Sequence, residues 1–188
     1  MKRSDKKIAY VTSRNALDKR EWSGTLYFML KSLQAKNSNV IFIGPYNPGL
    51  LIFILKVFNK LIHFFTGKNY NYKHSFLLAN TFKRKFQRMI EKEKPDIIIS
   101  AAASTETCLL KVNVPVIYIG DVTYKLLKDY YNNYSNLIGF SDREAEKIEI
   151  MNFKNSDALV FSSEWAARSA MMDYKVSQAK IKIIPYGA

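Results

Sequence analysis

The residues that could do chemistry sit in short polar stretches directly after apolar runs. Trp22-Ser23-Gly24-Thr25 follows the first such run and opens a helix-like segment. A helix start offers unpaired backbone N–H groups and a partial positive charge, and a glycine there lets a phosphate approach the backbone. The same residues also read as an ordinary cap, with Ser23 or Thr25 supplying the oxygen. Asp121, after Gly120, could act as a base or bind a sugar hydroxyl. It also reads as turn chemistry, because Thr123 follows closely. Ser162, Ser163 and Glu164 follow another apolar run and read as a helix cap.

Other chemistries are excluded by what is missing. There is no GxGxxG and no GxxxxGK[ST], so neither a dinucleotide fingerprint nor a P-loop is supported. No Ser-His-Asp spacing points to nucleophilic catalysis. The two histidines, His63 and His74, fall in a stretch that reads as a peripheral insert. One cysteine, Cys108, supports neither an internal disulfide framework nor a cysteine-rich zinc site. No metal ligand set is read, and a reducing, cytoplasmic setting is the expectation.

The elements that must position these residues alternate along the chain. Strand-like runs are read at 7–13, 40–43, 95–100, 114–119, 158–161 and 181–185. Helix-like runs are read at 24–35, 50–65, 75–93, 144–155 and 164–173, with a loop-like piece at 66–74. Several strand runs are apolar at every position, which suits parallel strands buried on both faces. The expected fold class is therefore α/β, a Rossmann-like, doubly wound, mostly parallel sheet. In such a sheet ligands bind beyond the carboxyl ends of the strands. The stretches at 13–25, 44–46, 100–105, 120–123 and 162–164 are the ones to weigh.

Charge adds a second theme. The 188 residues carry 29 Lys and Arg against 16 Asp and Glu, a formal charge of +13. Apolar content of 48% is ordinary for a globular chain, so the charge does not signal disorder. No recognition-helix, RNP-like or zinc-finger pattern accompanies it, so nucleic acid is not the expected partner. The run 50–65 is the unusual one. Lys56, Asn59, Lys60 and His63 share one helical face, and the rest is Leu, Ile, Phe and Val. A second basic run holds Lys83, Arg84, Lys85 and Arg88. Such a pair reads either as a membrane-surface helix with basic neighbours or as a helix packed on the sheet or on a partner. At 16 residues with four polar interruptions, the run 50–65 does not read as transmembrane.

In order, these pieces resemble the N-terminal half of a GT-B fold glycosyltransferase, specifically glycosyltransferase family 4. The matching stretches are 8–13, 22–25, 115–121, 156–167 and 181–188. The resemblance implies retaining transfer of a sugar from a nucleotide-sugar donor to a glycan or lipid-linked acceptor, with no metal or other cofactor. It implies that Ser23, Gly24, Thr25, Ser162, Ser163 and Glu164 face the donor phosphates or substrate. Asp121 falls where many members carry a histidine beside the reacting sugar, and is the implied catalytic residue. Lys56, Lys60, Lys83, Arg84, Lys85 and Arg88 become the implied membrane or acceptor surface, with peripheral contact at the inner face of the membrane.

The family's C-terminal, donor-binding domain has no counterpart in residues 1–188. The expectation is therefore a single domain with a helical insert at about 47–94, truncated, inactive alone, and completed by a missing domain or a separate subunit. Read without the resemblance, the chain also fits a non-catalytic α/β binding or interaction module, membrane-associated or partnering a second subunit.

Overall fold

A strand that is apolar at every position can satisfy both faces only in the middle of a covered sheet, and β1 (Ile8–Val11) is such a strand. Its Ala9, Tyr10 and Val11 have no exposed surface. The computed structural model describes residues 6–186. In it β1 lies between β2 (Val40–Ile43) and β3 (Ile97–Ala101), parallel to both. Beyond β3 follow β4 (Val116–Gly120), β5 (Ala158–Phe161) and β6 (Ile181–Ile183). Among the described residues these six form one all-parallel sheet of order β2-β1-β3-β4-β5-β6. This is the expected α/β, Rossmann-like class. Gly187 and Ala188, part of the last matching stretch, lie outside the described residues.

The helices are α1 (Thr25–Lys36), α2 (Gly49–Thr66), α3 (Phe76–Glu93), α4 (Ser104–Thr107), α5 (Tyr124–Leu127), α6 (Gly139–Asn155) and α7 (Glu164–Tyr174). Alternation along the strands assigns them to two layers. Ala9, Val11, Ile43, Ile98 and Val116 pack against Leu78, Phe82, Phe86 and Ile90 of α3. The opposite parity, Tyr10, Ile99 and Ala101, packs against Leu26 and Leu30 of α1. Tyr118, Leu159, Phe161 and Ile181 pack with Phe153 of α6 and the small residues Ala166, Ala167 and Ala170 of α7. The expected insert at 47–94 thus contains two different things. α3 is the crossover helix of the β2–β3 unit and belongs to the core, whereas α2 contributes one buried residue, Leu55.

Chain direction sets where a ligand can sit. From β1 the chain moves to β2 on one side and later to β3 on the other, so the strand order reverses at β1. That switch point opens a crevice at the carboxyl ends of β1, β3 and β4. Gly44 closes β2 there. It has φ +152°, and a Cβ on it would collide with the carbonyl oxygen of Thr12. The chain then turns toward Tyr46, whose N–H donates to the Ser13 carbonyl at 3.1 Å. Gly44→Ala forces two backbone segments at the crevice apart, and overpacking of this kind costs about 2 kcal/mol. Urea unfolding should show a lower midpoint with an unchanged slope; an unchanged midpoint would contradict this packing.

Candidate functional site

The crevice is a cleft of about 620 Å3. Its floor and walls come from the segments after four strands: Ser13 and Arg14 after β1, Tyr46 and Asn47 after β2, Ala102, Ser104, Thr105 and Glu106 after β3, and Asp121 and Val122 after β4. A second hollow of about 380 Å3 lies at the amino ends of β4 and β5. There Asp157 accepts the Val116 N–H and Asn155 donates to the Cys108 carbonyl, so those groups serve the fold.

The Trp22 loop is held in an unusual backbone. Trp22 and Ser23 have φ of 48° and 54°, and Gly24 has φ of 82°. Two consecutive non-glycine residues in the left-handed region cost on the order of 1–3 kcal/mol each and persist only when their surroundings fix them. Two contacts of the Trp22 side chain fix the loop. The Trp22 indole Nε1 donates to Asp121 Oδ2 at 3.2 Å, across 99 residues, and the Trp22 ring meets Tyr186 edge-on at 5.6 Å between centroids. Gly24 is the N-cap of α1, so neither Ser23 nor Thr25 caps that helix. A side chain at Gly24 would crowd Phe28 and the Lys19 carbonyl, so the turn itself explains this glycine.

Two buried acids line the cleft. Glu106, on α4, accepts a hydrogen bond from the Ser13 hydroxyl, and burial raises its carboxyl above the ordinary range. Glu149, on α6, accepts the Tyr124 N–H at 3.1 Å, and burial pushes it up to about 7. His74 borders the same cleft, its ring tilted against Tyr124 and Tyr134 at 6.0 and 5.6 Å. Its Nδ1 is buried without a hydrogen-bond partner, and burial, with Lys73 and Arg14 nearby, lowers its pKa to about 4. Above them the 124–134 strap is pinned to α6. Tyr124 Oη donates to Asp142 Oδ1 at 2.8 Å, and Lys128 pairs with the other Asp142 oxygen at 2.7 Å.

The structure therefore brings two of the stretches singled out by sequence together through Trp22 and Asp121 alone, while Ser23, Gly24 and Thr25 do not line the cleft. It does not bring in the third. Ser163 caps α7 by accepting the Ala166 N–H at 3.3 Å, and Ser162, Ser163 and Glu164 do not line the cleft. Lys56 and Lys60 are exposed on α2. Arg84, Lys85 and Arg88 are exposed on α3 and Lys83 is half-buried, with Lys85 5.7 Å from the centroid of the Tyr46 ring.

His74 corrects the expectation that both histidines are peripheral, because the 66–74 loop folds back onto the cleft. Its anchor is the Asn71 N–H donating to Ser141 Oγ at 2.8 Å, a contact between residues 70 apart. Glu106 and Glu149 were missed as well. Glu106 lies one residue past the 100–105 stretch. Glu149 had a readable signal, since it adjoins the buried stripe Ser141, Ala145, Ile148 and Asn152 of α6. Among the described residues, no group of three or more His, Cys, Asp or Glu is placed to hold a metal.

Comparison with protein-family models and with curated proteins yields no match to this chain.

The buried acids predict the pH response. A carboxyl held at about 7 keeps its proton in the folded chain when the unfolded chain has lost it. The folded state thus binds the extra proton between about pH 4.5 and 7, and stability falls as pH rises through that window. His74 works the other way: the unfolded chain binds the extra proton between about pH 4 and 6.5, so stability rises with pH there. Glu149→Gln keeps the acceptor for Tyr124 and removes the first effect. Its melting temperature should exceed the parent's at pH 8 and match it at pH 4.5; equal values at pH 8 would refute the burial argument.

Proposed function

We propose that the cleft is the acceptor-side half of a sugar-transfer site. The reaction is retaining transfer of a sugar from a nucleotide-sugar donor to a glycan or lipid-linked acceptor. The observation that carries this reading is one of juxtaposition. Ring faces of Trp22, Tyr131 and Tyr134 share a single cleft with the carboxyl groups of Asp121, Glu106 and Glu149 at the switch point of a parallel sheet. A sugar ring presents apolar C–H faces and a rim of hydroxyls, and rings plus hydrogen-bonding acids complement both.

Roles follow from position and ordinary chemistry. Asp121 is at the mouth and carries the Trp22 contact, so it is the group that meets a reacting sugar or acceptor hydroxyl. Burial raises the Glu106 carboxyl and so favours its protonated form, which can donate a hydrogen bond as well as accept one. Arg14 and Lys73 are the cations bordering the cleft, and a donor diphosphate would be drawn to them. The family resemblance in the strand, loop and helix sequence supports the same reaction class.

The chain has two tryptophans, so Trp165→Phe leaves Trp22 as the reporter of the cleft. Titration with nucleotide sugars and oligosaccharides should give a saturable change in Trp22 emission for at least one of them. Asp121→Asn or Tyr131→Ala should weaken that binding about tenfold, the scale of one hydrogen bond to a charged group. A flat response to the whole panel, or binding that ignores both substitutions, would overturn the proposal.

A further inference from the structure

Helix α2 is apolar on both sides. Leu51, Ile52, Leu55 and Ile62 face the domain, as expected, yet the opposite face is apolar as well. Leu50, Phe53, Ile54, Leu61, Phe64 and Phe65 all point outward, with Leu50, Phe64 and Phe65 at 77%, 81% and 78% exposure. The only charged side chains on the helix, Lys56 and Lys60, flank that face, and α2 holds no acid. Asn59 is not part of the polar edge. It turns inward, where its Oδ1 accepts the Tyr70 N–H at 2.7 Å.

We infer that α2 lies flat in the surface of an anionic lipid bilayer, with its outer apolar face among the acyl chains and its lysines at the phosphate level. The inference stands on α2 and its surroundings, whatever the cleft binds. By length α2 could cross: 18 residues span about 27 Å, close to the hydrocarbon thickness of about 30 Å. Both of its ends, however, are fastened to the same domain. Before it, the Tyr46 ring packs edge-on to Phe82 and Phe86 of α3. After it, Asn136 Nδ2 donates to the Gly67 carbonyl at 2.8 Å and the Asn69 N–H to the Asn136 carbonyl at 2.9 Å. A helix with both ends and one side on one globule lies in the interface.

Charge selects the bilayer over other occupants. Residues 49–94 hold ten Lys and Arg and two Glu, eight of the thirteen net positive charges. Anionic headgroups attract such a surface. A second copy would set like charges against each other. A protein partner would use scattered hydrogen-bonding groups, and the outward strip of Leu, Ile and Phe offers none.

Flotation with vesicles tests this directly. The chain should float with phosphatidylcholine vesicles containing about 30 mol% phosphatidylglycerol at low salt, and much less with pure phosphatidylcholine or at high salt. Phe64→Ser/Phe65→Ser should cut the bound fraction about tenfold with an unchanged melt, since both rings are exposed. Lys56→Gln/Lys60→Gln should lower the preference for anionic vesicles several-fold. In Phe53→Trp, lipids brominated on the acyl chains should quench the new tryptophan, a readout that needs no loss of binding. No flotation with anionic vesicles, or no acyl-chain quenching at position 53, overturns the inference. So does a concentration-dependent dimer that hides the face and is abolished by Phe64→Ser/Phe65→Ser.

Discussion

Burial of β1 on both faces is the constraint on which the rest depends. A strand with Ala9, Tyr10 and Val11 fully enclosed must have a parallel neighbour on each side and a helix layer above and below. Given β2 on one side, the chain has to cross to the other side for β3, and the reversal opens the cleft. α1 supplies one cover through Leu26 and Leu30, and α3 the other through Leu78, Phe82, Phe86 and Ile90. The turns after β1, β3 and β4 then converge because their strands are in register: Tyr10 beside Ile99, and Ile99 beside Ile117.

Around that cleft the molecule keeps features that cost stability. Trp22 and Ser23 sit in left-handed backbone, Glu106 and Glu149 are buried acids, and His74 has a buried ring nitrogen without a partner. Structural cores avoid all three. Their meeting at the carboxyl ends of the strands fits a site whose polar groups await a ligand, because desolvated groups interact strongly with whatever replaces water. α2 is a separate departure, with apolar side chains outward where charge would be ordinary.

Much of the fold was legible in the sequence. Val40–Ile43 and Ala158–Phe161 are apolar runs bounded by polar residues, and their limits agree with the strands. What stayed hidden depends on tertiary contact. α4 and α5 are four residues each, too short to show a period. The first turn of α6, Gly139 to Asp142, has weak helix formers. It is held from outside, where Ser141 meets Asn71 and Asp142 meets Tyr124 and Lys128. In the site, Trp22 and Asp121 could each be flagged from their place after a strand, but their contact spans the sheet. His74 could not be placed, because only the fold-back of the 66–74 loop brings it to the cleft. The two-sided apolar character of α2 was visible as composition; which side faces out needed the packing.

The central claim is that the carboxyl-end cleft, and no other surface, takes a saccharide. Amide chemical-shift mapping of the 15N-labelled chain during titration with the tightest-binding sugar or nucleotide sugar tests it most directly. The account predicts that perturbed amides cluster at Trp22 to Thr25, Ser104 to Glu106, Asp121 and Tyr131. Shifts confined to the hollow at the amino ends of β4 and β5, around Asn113 and Asp157, would contradict it.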